Sequence, residues 1–116
     1  FGGSYYSLAL LLSELGRMND AVIEMEHAHR LMPSNIRAIY NLGLLYQKVG
    51  KPKEAENILS SGLWVDAENE DILYALAFLY LQEKQKENAL QTAKRIIALY
   101  PNKSEYQNLL RQANSL

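Results

Sequence analysis

The residues best suited to metal binding in this sequence are two histidines, His27 and His29. On a helix, a spacing of two residues directs the side chains about 200° apart, so the pair cannot ligate one ion from the same helix. Met18, Met25 and Met32 recur every seven residues, but two of them occupy positions expected in the hydrophobic core. Packing explains these methionines better than a set of sulfur ligands does. The sequence therefore predicts no metal site.

The hydroxyl and carboxyl groups form no catalytic motif. A nucleophile needs a base beside it, and acid–base catalysis needs carboxyl groups in unlike environments. The chain has no cysteine, and its serines and acidic residues fall at expected helix caps and on solvent-facing helix surfaces. Acidic residues with basic neighbours, such as Glu26 and Glu54, are typical of a solvated helix surface. We therefore expect no catalytic residue, no cofactor and no enzymatic activity.

Charge and hydropathy exclude two further classes of protein. Twelve basic and thirteen acidic residues give a net charge of −1, which is not typical of a surface that binds nucleic acid or anionic lipid. The longest apolar run, residues 8–12, is much shorter than the ~20 residues of a membrane span. The absence of cysteine fits a cytoplasmic and a periplasmic protein equally well. We expect a soluble protein that neither binds nucleic acid nor inserts into a membrane.

The sequence matches itself when it is shifted by 34 residues. The matching columns are Tyr6, Tyr40 and Tyr74; Leu8, Leu42 and Leu76; Leu11, Leu45 and Leu79; and Ala21, Ala55 and Ala89. Agreement over two successive intervals indicates tandem repeats, which we place at 2–35, 36–69 and 70–103. Apolar residues within each repeat have helical spacing, and no stretch alternates as a strand would. Two helices per repeat and an all-α fold are predicted.

Glycines mark the turn between the two helices of a repeat. Gly16 and Gly50 lie where the first helix should end in a left-handed residue, a conformation that glycine adopts without a Cβ penalty. Lys84 occupies the equivalent position in the third repeat. We therefore expect the third turn to be strained or to have a different shape.

Other residues predict where helices begin. Asn19 is placed to cap the second helix, and Pro52 suits a first helical turn, where its missing N–H costs nothing. Residues 104–116 begin with Ser104 and Gln107 in the spacing of a capping box. They continue with an apolar stripe opposite a polar face, which a repeat array needs at its end for solubility. A seventh, closing helix is predicted there.

These positions resemble the signature of tetratricopeptide repeats, W-x2-L-G-x2-Y followed by A-x3-F and P. The second repeat contains Ile39-x2-Leu42-Gly43-x2-Tyr46, and the other repeats keep this spacing with substitutions. The resemblance covers residues 2–103 and implies a right-handed superhelical stack of antiparallel helix pairs, a solenoid of seven helices. The chain length and the absence of a linker predict a single domain over residues 1–116, made of these repeats and the closing helix.

In the tetratricopeptide family, the first helices of the repeats line a concave groove that binds extended or helical peptides. The resemblance therefore implies a non-catalytic scaffold for protein–protein interaction, whose protein or peptide partner the sequence does not identify. Tyrosine is common both at interfaces and in half-buried packing, so packing between neighbouring helices is the alternative role for the groove tyrosines. The residues at the groove positions are Tyr6, Leu10, Arg37, Tyr40, Asn41, Leu44, Tyr74 and Phe78.

A subset of the family grips the C-terminal carboxylates of chaperone tails with lysine, asparagine and arginine side chains at five groove positions. This sequence has Tyr6, Leu10, Asn41, Asp71 and Ala75 at those positions. Only Asn41 matches in type, and Asp71 would repel an acidic ligand. We expect no binding of chaperone tails.

The first predicted helix indicates an alternative function. Leu8, Leu11, Leu12 and Leu15 help to make it apolar all round, and such a helix is expected to be buried on every side. We therefore expect the chain to be the C-terminal part of a longer protein, and self-association into a homodimer through this helix is the alternative to groove binding.

RNA binding by one base per repeat is disfavoured by the 34-residue period and the net charge. Trp64 is expected to stack against the next repeat, with a role as a binding anchor as the alternative.

Overall fold

The computed structural model describes residues 1–116 and contains seven α-helices and no strand. The helices are α1 Gly2–Glu14, α2 Met18–Leu31, α3 Ile36–Lys48, α4 Pro52–Val65, α5 Glu70–Gln82, α6 Lys86–Leu99 and α7 Ser104–Asn114. Turns of three residues join α1 to α2, α3 to α4 and α5 to α6, and the two helices of each pair pack against each other. The expected all-α class with seven helices is confirmed.

The chain divides into two compact units. Unit 1 is Phe1–Asp66 and contains α1 to α4, whereas unit 2 is Ala67–Leu116 and contains α5 to α7. In unit 1, α2 contacts both α1 and α3. In unit 2, α7 packs against α6 and also touches α5.

The core of unit 1 combines small and large apolar side chains. Met25 of α2 is fully buried there, which confirms the packing role expected for this methionine. Around it lie Ala9, Ala21, Val22, Ala28, Ala38, Leu42 and Leu45. Burying a side chain of the size of leucine or methionine stabilises a fold by about 1.5–3 kcal/mol, so these contacts hold the three helices together.

The crossing of α3 and α4 depends on a glycine. A Cβ atom at Gly43 would lie 2.5 Å from both Cγ and Cδ2 of Leu59, closer than real Cβ contacts come. Leu59 is itself fully buried, so it has little room to move. Gly43 therefore lets α4 approach α3 with a leucine, rather than a smaller residue, at the crossing.

The three turns within helix pairs share one backbone shape. Gly16 and Gly50 both have a φ of 79°, as expected, and Lys84 has a φ of 56°. The backbone N–H of Lys84 donates to the carbonyl of Leu81, just as that of Gly50 donates to Gln47. Lys84 therefore keeps the glycine-type turn and has the strain of a left-handed non-glycine residue, so of the two expected outcomes the structure shows strain and not a different shape.

Helix caps follow the 34-residue period at two positions that the sequence analysis did not identify. The Asn35 side chain accepts a hydrogen bond from the N–H of Ala38 (3.0 Å), and Asn69 accepts one from Ile72 (2.9 Å). The expected cap by Asn19 is wrong, because α2 already begins at Met18 and its cap position has no side-chain bond. The capping box of Ser104 is wrong for the same reason, since α7 begins at that residue. Pro52 does open α4, as expected.

Candidate functional site

Six of the eight residues expected to contact a partner lie on α1 and α3 of unit 1, and we call them the tyrosine face. They are Tyr6, Leu10, Arg37, Tyr40, Asn41 and Leu44. Neighbouring members on one helix are up to four positions apart, which places them on a single stripe of that helix. Leu10 and Arg37 are exposed and the other four are half-buried. The face therefore offers apolar surface and polar groups to an incoming ligand.

A hydrogen bond joins the two helices of the tyrosine face. The Asn41 Nδ2 group donates to the Tyr6 hydroxyl (2.9 Å) and also to the Arg37 carbonyl (2.9 Å). Both N–H groups of the Asn41 amide are thereby used. Two groups stay available for a ligand, namely the Asn41 Oδ1 atom as an acceptor and the Tyr6 hydroxyl proton as a donor. Tyr6 and Asn41 are the pair that the structure brings into direct contact.

The two remaining predicted residues, Tyr74 and Phe78, lie on α5 of unit 2. Their side chains are 37% and 43% exposed, which is high for aromatic rings. The Tyr74 ring lies 5.9 Å from the ring of Tyr106 on α7, so one side of Tyr74 is supported. Phe78 has no such ring partner. Unit 2 thus presents a separate aromatic pair, one ring supported and one open.

Polar contacts fix α7 against the start of α5. Glu70 accepts hydrogen bonds from Lys103 Nζ (2.5 Å) and from the Tyr106 hydroxyl. These two bonds lower the pKa of Glu70, and the bond to Glu70 raises the pKa of Lys103. Burial, and then the bond to Glu70, raises the pKa of Tyr106. The Tyr106 ring that supports Tyr74 is therefore held at its hydroxyl end.

The chaperone-tail positions do not form a carboxylate clamp. Ala75 is 4% exposed, so that position is inside unit 2, and Asp71 on the same helix is exposed and acidic. In unit 1, the Asn41 amide already donates both of its hydrogens within the protein. No cationic side chain occupies any of the five positions.

The two histidines have different surroundings. The His27 ring lies 5.0 Å from that of Tyr5, and its Nδ1 atom accepts a hydrogen bond from Arg30 (2.7 Å). His29 Nδ1 is buried without a partner, and burial lowers the pKa of this imidazole. No group of three or more histidine, aspartate or glutamate side chains is placed to hold a metal ion. No helix has both the length and the apolar character that crossing a membrane requires.

Exposed leucines on α1 and at its C-cap contrast with buried leucines on α3. Leu8, Leu11 and Leu15 are 42%, 52% and 64% exposed, whereas Leu42 and Leu45, 34 residues after the first two, are 2% and 4% exposed. The α3 pair belongs to the core that α2 covers. Trp64 on α4 is 92% exposed, so the expectation that it packs against the next repeat is wrong.

A cavity of about 450 Å³ lies among α2, α3 and α4, away from every residue that the sequence analysis selected as a binding site. Glu26, His29, Tyr46 and Glu54 are among the residues that line it. The sequence analysis assigned Glu26 and Glu54 to a solvated surface from their basic neighbours, and the sequence does not show that the packing of three helices places both at one cavity.

The chain matches known repeat families and structures. A model described as tetratricopeptide repeat matches residues 2–35 and 36–63, and a second model with the same description matches residues 65–113. No curated protein matches the chain in sequence.

Three solved structures illustrate the similarity of fold. The first tetratricopeptide region of Spaghetti (RPAP3), solved with the HSP90 peptide SRMEEVD, is 17% identical with a TM-score of 0.89, covering 98% of this chain and 90% of that one. MamA from Desulfovibrio magneticus RS-1 is 22% identical with a TM-score of 0.88, covering 99% of this chain and 65% of that one. A tetratricopeptide repeat protein from Parabacteroides merdae is 20% identical with a TM-score of 0.92, covering 97% of this chain and 44% of that one.

At identities this low, the likeness to solved structures supports the fold alone. The TM-scores confirm the expected tetratricopeptide-type solenoid. One repeat model also matches more than half of the residues. The chain therefore belongs to the tetratricopeptide repeat family.

Proposed function

We propose that the protein is a non-catalytic scaffold whose tyrosine face binds an extended segment of a partner protein. The Tyr6–Asn41 hydrogen bond is the observation that carries this proposal, because it leaves one donor and one acceptor side by side on a partly exposed apolar face. A peptide group offers one acceptor and one donor in return. Fixing both side chains in advance also reduces the entropy that binding must overcome.

The apolar members of the tyrosine face define the side chains of the ligand. Leu10 is exposed, and Tyr40 and Leu44 are half-buried, so apolar or aromatic ligand side chains would gain burial against them. The Spaghetti structure holds an acidic peptide, but this chain lacks cations at the clamp positions. We therefore propose an apolar partner segment and no binding of acidic chaperone tails. On α5, Tyr74 and Phe78 are proposed as further contacts for the same kind of ligand.

Titration of a partner recovered from the source organism tests the tyrosine face. Replacing Tyr40 with alanine should weaken binding by about 2 kcal/mol or more, the usual effect of removing a well-packed aromatic anchor. Tyr6→Phe removes only the hydroxyl and should weaken binding less. Arg37→Ala should act mostly on the association rate and its salt dependence. Lys53→Ala, an exposed cation on α4, is the matched control and should change neither.

Circular dichroism must first show that each variant is folded, because a packing tyrosine would lose stability instead of affinity. A folded Tyr40→Ala protein that binds as tightly as the wild type would rule out the tyrosine face, and the same result for Phe78→Ala would rule out the proposed contact on α5. Calorimetric titration with an acidic chaperone-tail peptide should give no heat of binding at micromolar concentration. Salt-sensitive binding of that peptide would contradict the ligand chemistry proposed here.

We propose self-association through α1 as a second function, since Leu8 and Leu11 on that helix and Leu15 at its C-cap are exposed. Leu8, Leu11 and Leu15 are three and four positions apart, the spacing of a helix–helix seam. Glu14 is the single charged residue of α1, so two copies can pair without clustering like charges. The protein should dimerise in light scattering, and Leu11→Lys with Leu15→Glu should restore a monomer. A strictly monomeric wild type at high concentration would exclude this function.

A further inference from the structure

We propose that unit 1 has a second binding site, the cavity among α2, α3 and α4, and that it accepts an arginine side chain presented by a partner protein. The site is separate from the tyrosine face and does not depend on it. Leu42 and Tyr46 line the cavity from α3, whereas Tyr40 and Asn41 belong to the tyrosine face. At about 100° per residue, these two pairs point to different sides of α3. The cavity volume of about 450 Å³ lies within the ~300–1,000 Å³ typical of ligand sites.

The cavity has apolar residues for a side-chain stem and carboxylates for its head group. Leu42 and Ile58 supply aliphatic surface, against which the methylene groups of an arginine can pack. Glu26 from α2 and Glu54 from α4 supply the negative charge. Asn57 and Ser61 on α4 add polar groups suited to the peptide backbone that carries the arginine.

The two carboxylates are differently prepared for a cation. The Tyr46 hydroxyl donates to Glu26 Oε2 (2.5 Å), which holds that carboxylate in place. Glu54 is exposed and takes part in neither the Arg17–Asp20 nor the Lys103–Glu70 ion pair. An exposed carboxylate that lines the same cavity as a fixed one is suited to the charge-assisted, multidentate bonds of a guanidinium group.

Arg30 also lines the cavity and opposes a cationic ligand. Its Nη2 atom donates to His27 Nδ1 instead of pairing with Glu26 or Glu54. Burial, the bond to Glu26 and the charges of Glu26 and Glu54 all raise the pKa of Tyr46, and Arg30 acts in the opposite direction with the smallest effect. The net electrostatic environment at the Tyr46 hydroxyl is therefore negative.

His29 provides a further reason to expect a hydrogen-bond donor. Its Nδ1 atom is buried without a partner, and burial lowers the pKa of the imidazole, which favours the uncharged ring. A buried polar atom without a partner is rare in a folded protein. A guanidinium group has five N–H donors, enough to serve both carboxylates and an additional acceptor.

The test is a titration of the isotope-labelled chain, followed by NMR, with a blocked pentapeptide of sequence Gly-Ser-Arg-Ser-Gly. The matched probe replaces the arginine with citrulline, which has nearly the same shape and no charge. We expect saturable shifts of the Glu54, Asn57 and Ser61 amides with the arginine peptide and none with the citrulline peptide. Equal shifts with both peptides, or shifts spread over the whole chain, would overturn the proposal.

Variants assign the interaction to the two carboxylates. Glu54→Gln and Glu26→Gln should each weaken binding about 10-fold, the usual effect of losing a hydrogen bond to a charged group. Glu24→Gln on α2 makes the same change outside the cavity and should leave binding unchanged. Unchanged binding in both cavity variants would overturn the site, as would an equal loss in Glu24→Gln. Blocked arginine alone separates a small-molecule site from a protein site, because tighter binding of this monomer than of the pentapeptide would contradict a protein partner.

Discussion

The α3–α4 and α5–α6 helix pairs build the same motif with different residues. Both pairs consist of a 13-residue helix followed by a 14-residue helix. Gly43 faces Leu59 in the first pair, and the residues 34 positions later are Ala77 and Ala93, both 1% exposed. The turn residue changes from Gly50 to Lys84 while φ stays positive. The comparison shows that the motif requires a filled crossing and a left-handed turn, which more than one combination of residues can supply.

Among the substitutions that test this comparison, removal of the Leu59 side chain should have the largest effect on stability. Leu59→Ala creates a cavity at a fully buried position and should lower the free energy of unfolding by about 2–5 kcal/mol. Urea denaturation followed by far-ultraviolet circular dichroism measures it. A loss below 1 kcal/mol would show that Leu59 does not fill the crossing.

Gly43→Ala should have the second-largest effect on stability, and the sign of that effect should depend on whether Leu59 is present. With Leu59 present, the new Cβ overpacks the crossing, which should destabilise the protein by about 1–3 kcal/mol. The better helix propensity of alanine should offset about 1 kcal/mol of this loss. In the Leu59→Ala background the same substitution reproduces the alanine pair of α5–α6 and should be stabilising. A double-mutant cycle with no coupling between the two sites would refute the compensation.

Lys84→Gly should stabilise the protein slightly. A left-handed non-glycine residue costs about 1–2 kcal/mol, and glycine loses about 0.5–1 kcal/mol more conformational entropy on folding, so a gain of up to about 1.5 kcal/mol is expected. Gly50→Lys should be destabilising by a similar amount. Thermal unfolding of both variants measures the difference, and a destabilised Lys84→Gly protein would mean that the lysine contributes more than strain.

The smallest effect should be an acid sensitivity specific to unit 2. Glu70 has a lowered pKa in the folded state because of Lys103 and Tyr106, so its contribution is present above the ordinary value of about 4.5 and is lost as pH falls through the folded pKa. Glu70→Gln should reduce the loss of stability below pH 4.5. An identical dependence of stability on pH for the variant and the wild type would show that the contacts of Glu70 do not contribute to stability.

The sequence allowed the helices and turns to be predicted because their signals are local. The 34-residue matches located the helix pairs, and Gly16 and Gly50 located their turns. The periodic caps Asn35 and Asn69 were detectable in the same way but were missed. The cavity was not predictable, since Glu26, Tyr46 and Glu54 come from three helices and meet only through packing. The burial of Trp64 was wrongly predicted because it also depends on how helices pack. The repeat boundaries and the groove residues stay predictions.

The exposure of Trp64 gives the protein an unusual optical property. It is the single tryptophan of the chain and is 92% exposed on α4. Because its indole is in water in both the folded and the unfolded chain, unfolding should change the wavelength of its fluorescence very little. A partner or a second copy that covers the end of α4 would instead shift the emission to shorter wavelength. The emission wavelength of Trp64 should therefore report association at this surface and should be nearly insensitive to unfolding of the chain.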